Sequence, residues 1–179
     1  MKLLHALGKG TETVEKTIII AGIILMMLNS TANAIGRYAF DQSLFFSEEL
    51  NQFLIVAITF VGFAHAVRKG RNIRMTAVYD MLPTRARKAV MTTITLTTGL
   101  LFLYLAYKSV FYVLDIKSVN RLSPALQFPV WIIYAVIPVG LFMSSLQFLT
   151  AFAANLTRSG TWISNEVEDV EAPNIVAGV

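Results

Sequence analysis

The sequence predicts an all-α integral membrane protein with four transmembrane helices, and three observations carry that prediction. Hydrophobic residues make up 55% of the 179-residue chain and charged residues 15%, against roughly a quarter charged in ordinary soluble domains. The charges are also segregated, so that residues 17–36, 50–67, 89–107 and 128–156 carry no Asp, Glu, Lys or Arg. Each stretch is near or above the about 20 helical residues that cross a hydrocarbon core of roughly 30 Å. Four crossings use most of the chain and leave no room for a separate soluble domain.

Composition narrows the chemistry further. Without cysteine there is no disulfide framework, thiol redox chemistry or thiolate metal site. The net charge of +4 does not point to nucleic acid, because the basic residues crowd one short loop between apolar spans, where they set membrane orientation. Arg68, Lys69, Arg71, Arg74, Arg85, Arg87 and Lys88 face a single acid there, Asp80. The other two loops carry Arg37 against Asp41, Glu48 and Glu49, and Lys108, Lys117 and Arg121 against Asp115. The seven-cation loop is therefore expected in the cytoplasm with both termini, and its cations can also hold anionic lipid headgroups.

A cleaved signal peptide is the competing reading of the first span, since Ala32-Asn33-Ala34 has the form of a cleavage site. The sixteen-residue lead before it carries Glu12 and Glu15, which argues for a retained span. The expected organisation is an N-terminal cytoplasmic segment at 1–13, a four-helix membrane domain at 14–158, and a disordered, acidic cytoplasmic tail at 159–179. The spans are expected at about 14–38, 47–69, 85–114 and 129–157.

In the first span, Asn29 and Asn33 lie four apart on one helix face, near Gly22 and Ser30. Amides facing lipid cost free energy, so they serve as packing glue within the chain or to a partner; a ligand-coordinating pair is the alternative. Before the second span, Ser47 is an N-cap candidate, with Glu48 and Glu49 in the first turn complementing the helix dipole. Adjacent helical residues point about 100° apart, so capping and partner contact fit these glutamates better than a shared proton. The second span is rich in small residues, Gly62 among them, which permit close helix approach. His65, one turn before Arg68, reads as a packed or interfacial group, with a proton relay as the alternative.

Met75, Val78, Tyr79 and Leu82 follow helical spacing, which predicts a short amphipathic interfacial helix at about 74–82, ended by Pro83. Thr84 is a cap candidate for the third span. That span's Thr92, Thr93, Thr95, Thr97 and Thr98 can bond back to preceding carbonyls. Trp131 and Tyr134 form an outer aromatic belt at the start of the fourth span. Pro138 with Gly140 should bend that span. Gly140 and Ser144 make a small-xxx-small pair, and Gln147 can reach a neighbouring helix.

No Asp, Glu, Lys or Arg stands in the central part of any span, where ion- or proton-coupled transporters mark their pathway. No metal-ligand cluster, phosphate loop or nucleophile elbow is present, so an enzyme is not expected. The surplus of small and amide-bearing faces suggests docking onto another membrane protein, with Asn29, Asn33, Glu48, Glu49, Gly62, Gly140, Ser144 and Gln147 as contact candidates.

The runs Phe46-Ser47-Glu48-Glu49-Leu50, Phe60-Val61-Gly62, Arg68-Lys69-Gly70-Arg71-Asn72-Ile73-Arg74-Met75 and Leu82-Pro83, with Trp131, Tyr134, Ile137-Pro138-Val139-Gly140 and Gln147, carry a resemblance. Together they resemble the small permease (DctQ-type) subunit of tripartite ATP-independent periplasmic (TRAP) transporters, from the second span through the fourth. Asn72 stands where that family usually has histidine, and Thr76 where it often has aspartate. The resemblance implies a sodium-driven importer of organic acids in a bacterial inner membrane. In such a system a large permease subunit carries solute and sodium ions, and a periplasmic substrate-binding protein delivers the solute. The small subunit braces the large one and binds no solute, metal or cofactor itself. A self-sufficient four-helix transporter acting as a homo-oligomer is the alternative, and it lacks the intramembrane acid such a transporter needs.

Overall fold

Hydrocarbon offers no hydrogen-bond partners, so each apolar stretch must close its backbone bonds within a helix. The computed structural model describes residues 2–71, 79, 81–158, 160–164 and 167, with residues 2–11 described by backbone alone. Its helices are α1 (Lys2–Phe40), α2 (Ser47–Arg68), α3 (Thr84–Ser118), α4 (Val130–Tyr134) and α5 (Val136–Thr157). Four segments are long and apolar enough to cross a membrane, with α4 and α5 together forming the fourth. The described residues form no strand, although an isolated antiparallel bridge joins Leu122 to Pro129. The protein is thus all-α, as its composition requires.

The first helix begins earlier than the expected span and α3 runs four residues past it, because apolar content marks the membrane crossing and not the helix end. Pro138 explains the break between α4 and α5. Its ring clashes with the carbonyl four residues back, that of Tyr134, and it offers no N–H to that turn. The helix is interrupted at Ala135, one residue after that carbonyl.

Two expected caps are corrected. Ser47 and Thr84 are the first residues of their helices, and neither N-terminus has a side-chain cap. Ser47 is instead buried, and its carbonyl accepts a hydrogen bond from α1. The end of α2 is more sharply defined. Gly70 adopts a left-handed φ of 62°, its N–H bonds to the Val67 carbonyl, and the Arg71 N–H bonds to that of Ala66. This paired closure is the Schellman arrangement, and it favours glycine at the left-handed position.

The helices stand in the order α1, α2, α5, α3, with α2 and α5 parallel at the centre and α1 and α3 antiparallel to them on the two sides. The main packing of α1 is against α2 alone, while α5 lies between α2 and α3. Close approach between α2 and α5 depends on Gly140, where an added Cβ would stand 2.7 Å from the Phe60 carbonyl oxygen. Between α3 and α5, the Ser145 hydroxyl donates to the Gly99 carbonyl, and Thr95 is buried with its hydroxyl bonded back to Met91. Thr92 and Thr93 make the same backward bonds. Rings of Phe63, Phe102 and Phe148 link α2, α3 and α5.

Of the tail expected to be disordered from 159 onward, residues 160–164 and 167 are described. Asn155 both donates to the Trp162 carbonyl and accepts its N–H, each at 2.7 Å. Ile163 and Val167 lie beside Gly70, so the chain turns back over the end of α2. The expected interfacial helix at 74–82, with Arg74, Asn72 and Thr76, lies outside the described residues except at Tyr79, Met81 and Leu82.

Gly140→Ala should destabilise the fold by about 1–3 kcal/mol, because its methyl group meets rigid backbone. Gly62→Ala should be nearly neutral, since its nearest neighbour is an Ile19 methyl at 3.9 Å. Denaturant or thermal unfolding of the two variants in detergent checks the contrast.

Candidate functional site: a polar seam and a loop clamp

Residues Glu12, Glu15, Ile19, Gly22, Met26, Asn29, Asn33 and Gly36 are the half-buried or buried members of the described part of α1. Their spacing alternates between three and four, the period of a left-handed helix pair. Most of them are polar or small, whereas the remaining face exposes Ile20, Ile24, Leu25, Met27 and Leu28. A membrane helix in lipid can leave its apolar face outward and turn its polar residues inward.

At one end of this seam sits an ionic cluster. The Arg68 guanidinium donates to Glu15 Oε1 at 2.8 Å, and His65 Nδ1 lies 3.1 Å from Glu15 Oε2. Glu15 and Arg68 are each about 5% exposed. One turn outward, Glu12 lies 2.7 Å from Lys16 Nζ and 3.0 Å from Lys69 Nζ. The next polar seam residue on α1 is Asn29, fourteen residues and about 21 Å of rise away. The cluster therefore locks two helices together and starts no relay of titratable groups through the seam.

Amides hold the other end. Asn29 donates to the Ser47 carbonyl and to Asn51 Oδ1, and Asn51 donates to Ser30. Asn33 Oδ1 accepts from the Leu44 N–H and the Ser43 hydroxyl. Such interhelical bonds contribute about 0.6–2 kcal/mol each, and here they fix the short connection from α1 to α2.

A second contact ties the two hairpins together. Glu49 leaves its own helix start and clamps the loop after α3. It accepts hydrogen bonds from the Ser123 hydroxyl and from the N–H groups of Ala125 and Leu126. The loop is braced internally by Ser123 N–H to the Phe128 carbonyl and Gln127 N–H to the Ser123 carbonyl. Asn120 and Gln127 adopt left-handed φ values of 49° and 52°. Glu48, by contrast, is exposed and borders a notch of about 450 Å³ with Met26, Asn51, Gln52 and Ile55.

The expected contact candidates thus divide. Asn29, Gly140 and Ser144 are buried and make their contacts inside the chain, which for Asn29 is the within-chain form of the packing-glue reading. Glu49 and Asn33 are also engaged internally, and Gly62 faces Ile19 of α1. Glu48 is exposed and Gln147 half-exposed. The headgroup cations divide as well. Arg68 is buried against Glu15 and Lys69 lies against Glu12, whereas Arg71 and Arg85 are exposed. Arg87 lies over the Tyr79 ring, and Lys88 donates to the Arg158 carbonyl. Trp131 is covered by Lys117 Nζ at 4.9 Å, and Tyr134 pairs with Tyr112.

Sequence reasoning treated Glu12 and Glu15 only as marks against a signal peptide, and it missed the partner of Glu49. The three-four recurrence of polar and small residues along α1 is the signal that would have exposed the seam. Among the described residues, no group of three or more His, Asp or Glu side chains is arranged to hold a metal.

Glu15→Gln should cost about 3–5 kcal/mol of stability, because it strands a buried guanidinium. Glu15→Met combined with Arg68→Met should recover most of that loss, since no buried charge then remains. A double-mutant cycle on unfolding in mixed micelles checks both. Glu49→Ala should leave the helices intact but raise thiol labelling of a cysteine placed at Leu126, as the loop loses three hydrogen bonds.

Comparison with known proteins places this architecture. The family model for the DctQ component of tripartite ATP-independent periplasmic transporters matches residues 26–158. The chain is 45% identical over 155 residues to the ectoine TRAP transporter small permease protein TeaB of Halomonas elongata, covering 87% of this chain and 80% of that protein. It is 24% identical over 156 residues to the isethionate TRAP transporter permease protein DctMQ of Oleidesulfovibrio alaskensis, covering 82% of this chain and 24% of that longer protein.

Proposed function

This chain belongs to the DctQ component family of TRAP transporters, and from that premise we propose that it braces a large permease subunit without binding solute itself. Small permease subunits are transporter components and not enzymes, and this one is a multi-pass inner-membrane protein. The observation that carries the proposal is the family match, which runs unbroken from within α1 to the end of α5. Two features support the bracing role. The buried polar side chains of the seam bond to one another, with no series of charged groups along it to carry an ion. The longer relative, of which this chain covers 24%, carries its matching portion in one chain with a much larger remainder.

In this role the chain works with the large permease and a periplasmic substrate-binding protein. Sodium drives uptake from sites in the large subunit. The basic end, where Arg71, Arg85 and Lys88 lie, faces the cytoplasm with both termini, in keeping with the bias of basic residues. The more similar relative's name carries ectoine and the other's isethionate. The solute of this system is accordingly a small polar organic molecule, not restricted to organic anions, and it is selected outside this chain.

Co-expression with the large permease of its system should yield a stable complex, and proteoliposomes with that complex and its binding protein should take up solute only with an inward sodium gradient. Uptake by this chain alone would overturn the proposal. Uptake undiminished when sodium is replaced by choline would remove its sodium component.

A further inference from the structure

A groove lies between α3 and the α4–α5 segment, lined by residues 100–110 of the one and 135–142 of the other. The small side chains of Ala106 and Ala135 and the interruption before Pro138 leave it a volume of about 840 Å³. Leu103, Tyr104 and Tyr107 form one wall, and Pro138, Val139 and Phe142 the other. Its lining is almost wholly apolar, apart from what the two tyrosine hydroxyls offer. A cation stands at its edge, with Lys108 Nζ lying 5.7 Å from the centre of the Tyr104 ring.

Lys108 is exposed and forms no ion pair among the described residues. The nearest acid along α3, Asp115, is seven residues on, about 10 Å of helix rise. Leu105, Phe111 and Tyr112 beside it are also exposed, so the ammonium stands on an apolar surface. With Lys88 at one headgroup layer, Lys108 lies twenty residues and about 30 Å along the helix, at or just beneath the opposite layer. A lysine there extends its stem along the helix and presents its charge at the headgroups. It needs an anion, and the groove beside it needs hydrocarbon. One amphiphile answers both.

We propose that the α3–α5 groove is a binding site for an anionic phospholipid of the leaflet opposite the basic end, with an acyl chain between the helices and the phosphate against Lys108. The inference does not depend on the bracing role, and it separates this site from the basic-end cations.

Native mass spectrometry of the full chain released from nanodiscs of phosphatidylcholine and phosphatidylglycerol tests it. Wild-type protein should retain phosphatidylglycerol preferentially. Lys108→Ala should reduce that preference about fivefold, the effect of one basic residue at an anionic surface, and Lys108→Arg should restore it. Val139→Trp, which fills the groove from a position already 57% exposed, should abolish retention of both lipids while leaving the unfolding transition in place. In native membranes, a photo-crosslinker at Val139 should capture lipid. Retention unchanged by Lys108→Ala and Val139→Trp would overturn the proposal, and so would crosslinks at Val139 that run to a protein chain instead.

Discussion

The contact between Glu15 and Arg68 governs how the rest of this protein can be arranged. Both groups are almost fully withdrawn from solvent, and a charge in that setting is tolerated only beside its partner. Their pairing fixes the register of α1 against α2. The three-four spacing then carries that register along the seam to Asn29 and Asn33. Because the amides and Glu15 face inward there, the outward face of α1 is free to be largely apolar. Hydrophobic burial, the usual organiser of soluble domains, has little to act on between lipid-solvated helices. Register is set here by hydrogen bonds and close backbone approach.

The same physics explains why the molecule is a row of helices and not a closed bundle. With α1 packed mainly on α2, and α5 flanked by α2 and α3, broad apolar surfaces remain on both sides. Such a row offers area without a passage through it, in keeping with the bracing role proposed above. The clamp from Glu49 to the loop after α3 matters because it joins the two hairpins at the end farthest from the ionic cluster. The folded-back residues around Trp162 act similarly at the basic end, where Asn155 and Gly70 bring the chain after α5 against the end of α2.

Much of the fold was legible because bilayer thickness imposes one length scale on every span. Residues 47–69 were expected to cross and α2 ends at Arg68; Pro138 was expected to disturb the fourth span, and the helix breaks at Ala135. The candidate site was only half legible. Asn29 and Asn33 were recognised as interhelical glue, but a single sequence does not distinguish a neighbour in the same chain from one in another. The same holds for Gly140 and Ser144, whose contacts here lie within the chain. Glu49 looked like a dipole partner because that role is local, whereas its true acceptor geometry involves a loop more than seventy residues later. The caps at Ser47 and Thr84 failed because the cap positions fall one residue earlier, on Phe46 and Pro83, whose side chains have no acceptor to offer.

The pairing of Glu15 with Arg68 also has a history within each molecule's synthesis. The two residues are 53 apart in sequence, and at about 5–20 residues per second the ribosome takes roughly 3–11 s to supply the second after the first. Throughout that interval α1 carries a carboxylate with no guanidinium to meet it. The seam that would shelter its amides does not yet exist. The apolar stretch of the first helix is long enough to cross by itself, but its rotation and depth are unset until the second arrives, so that the register of the pair is written late in synthesis.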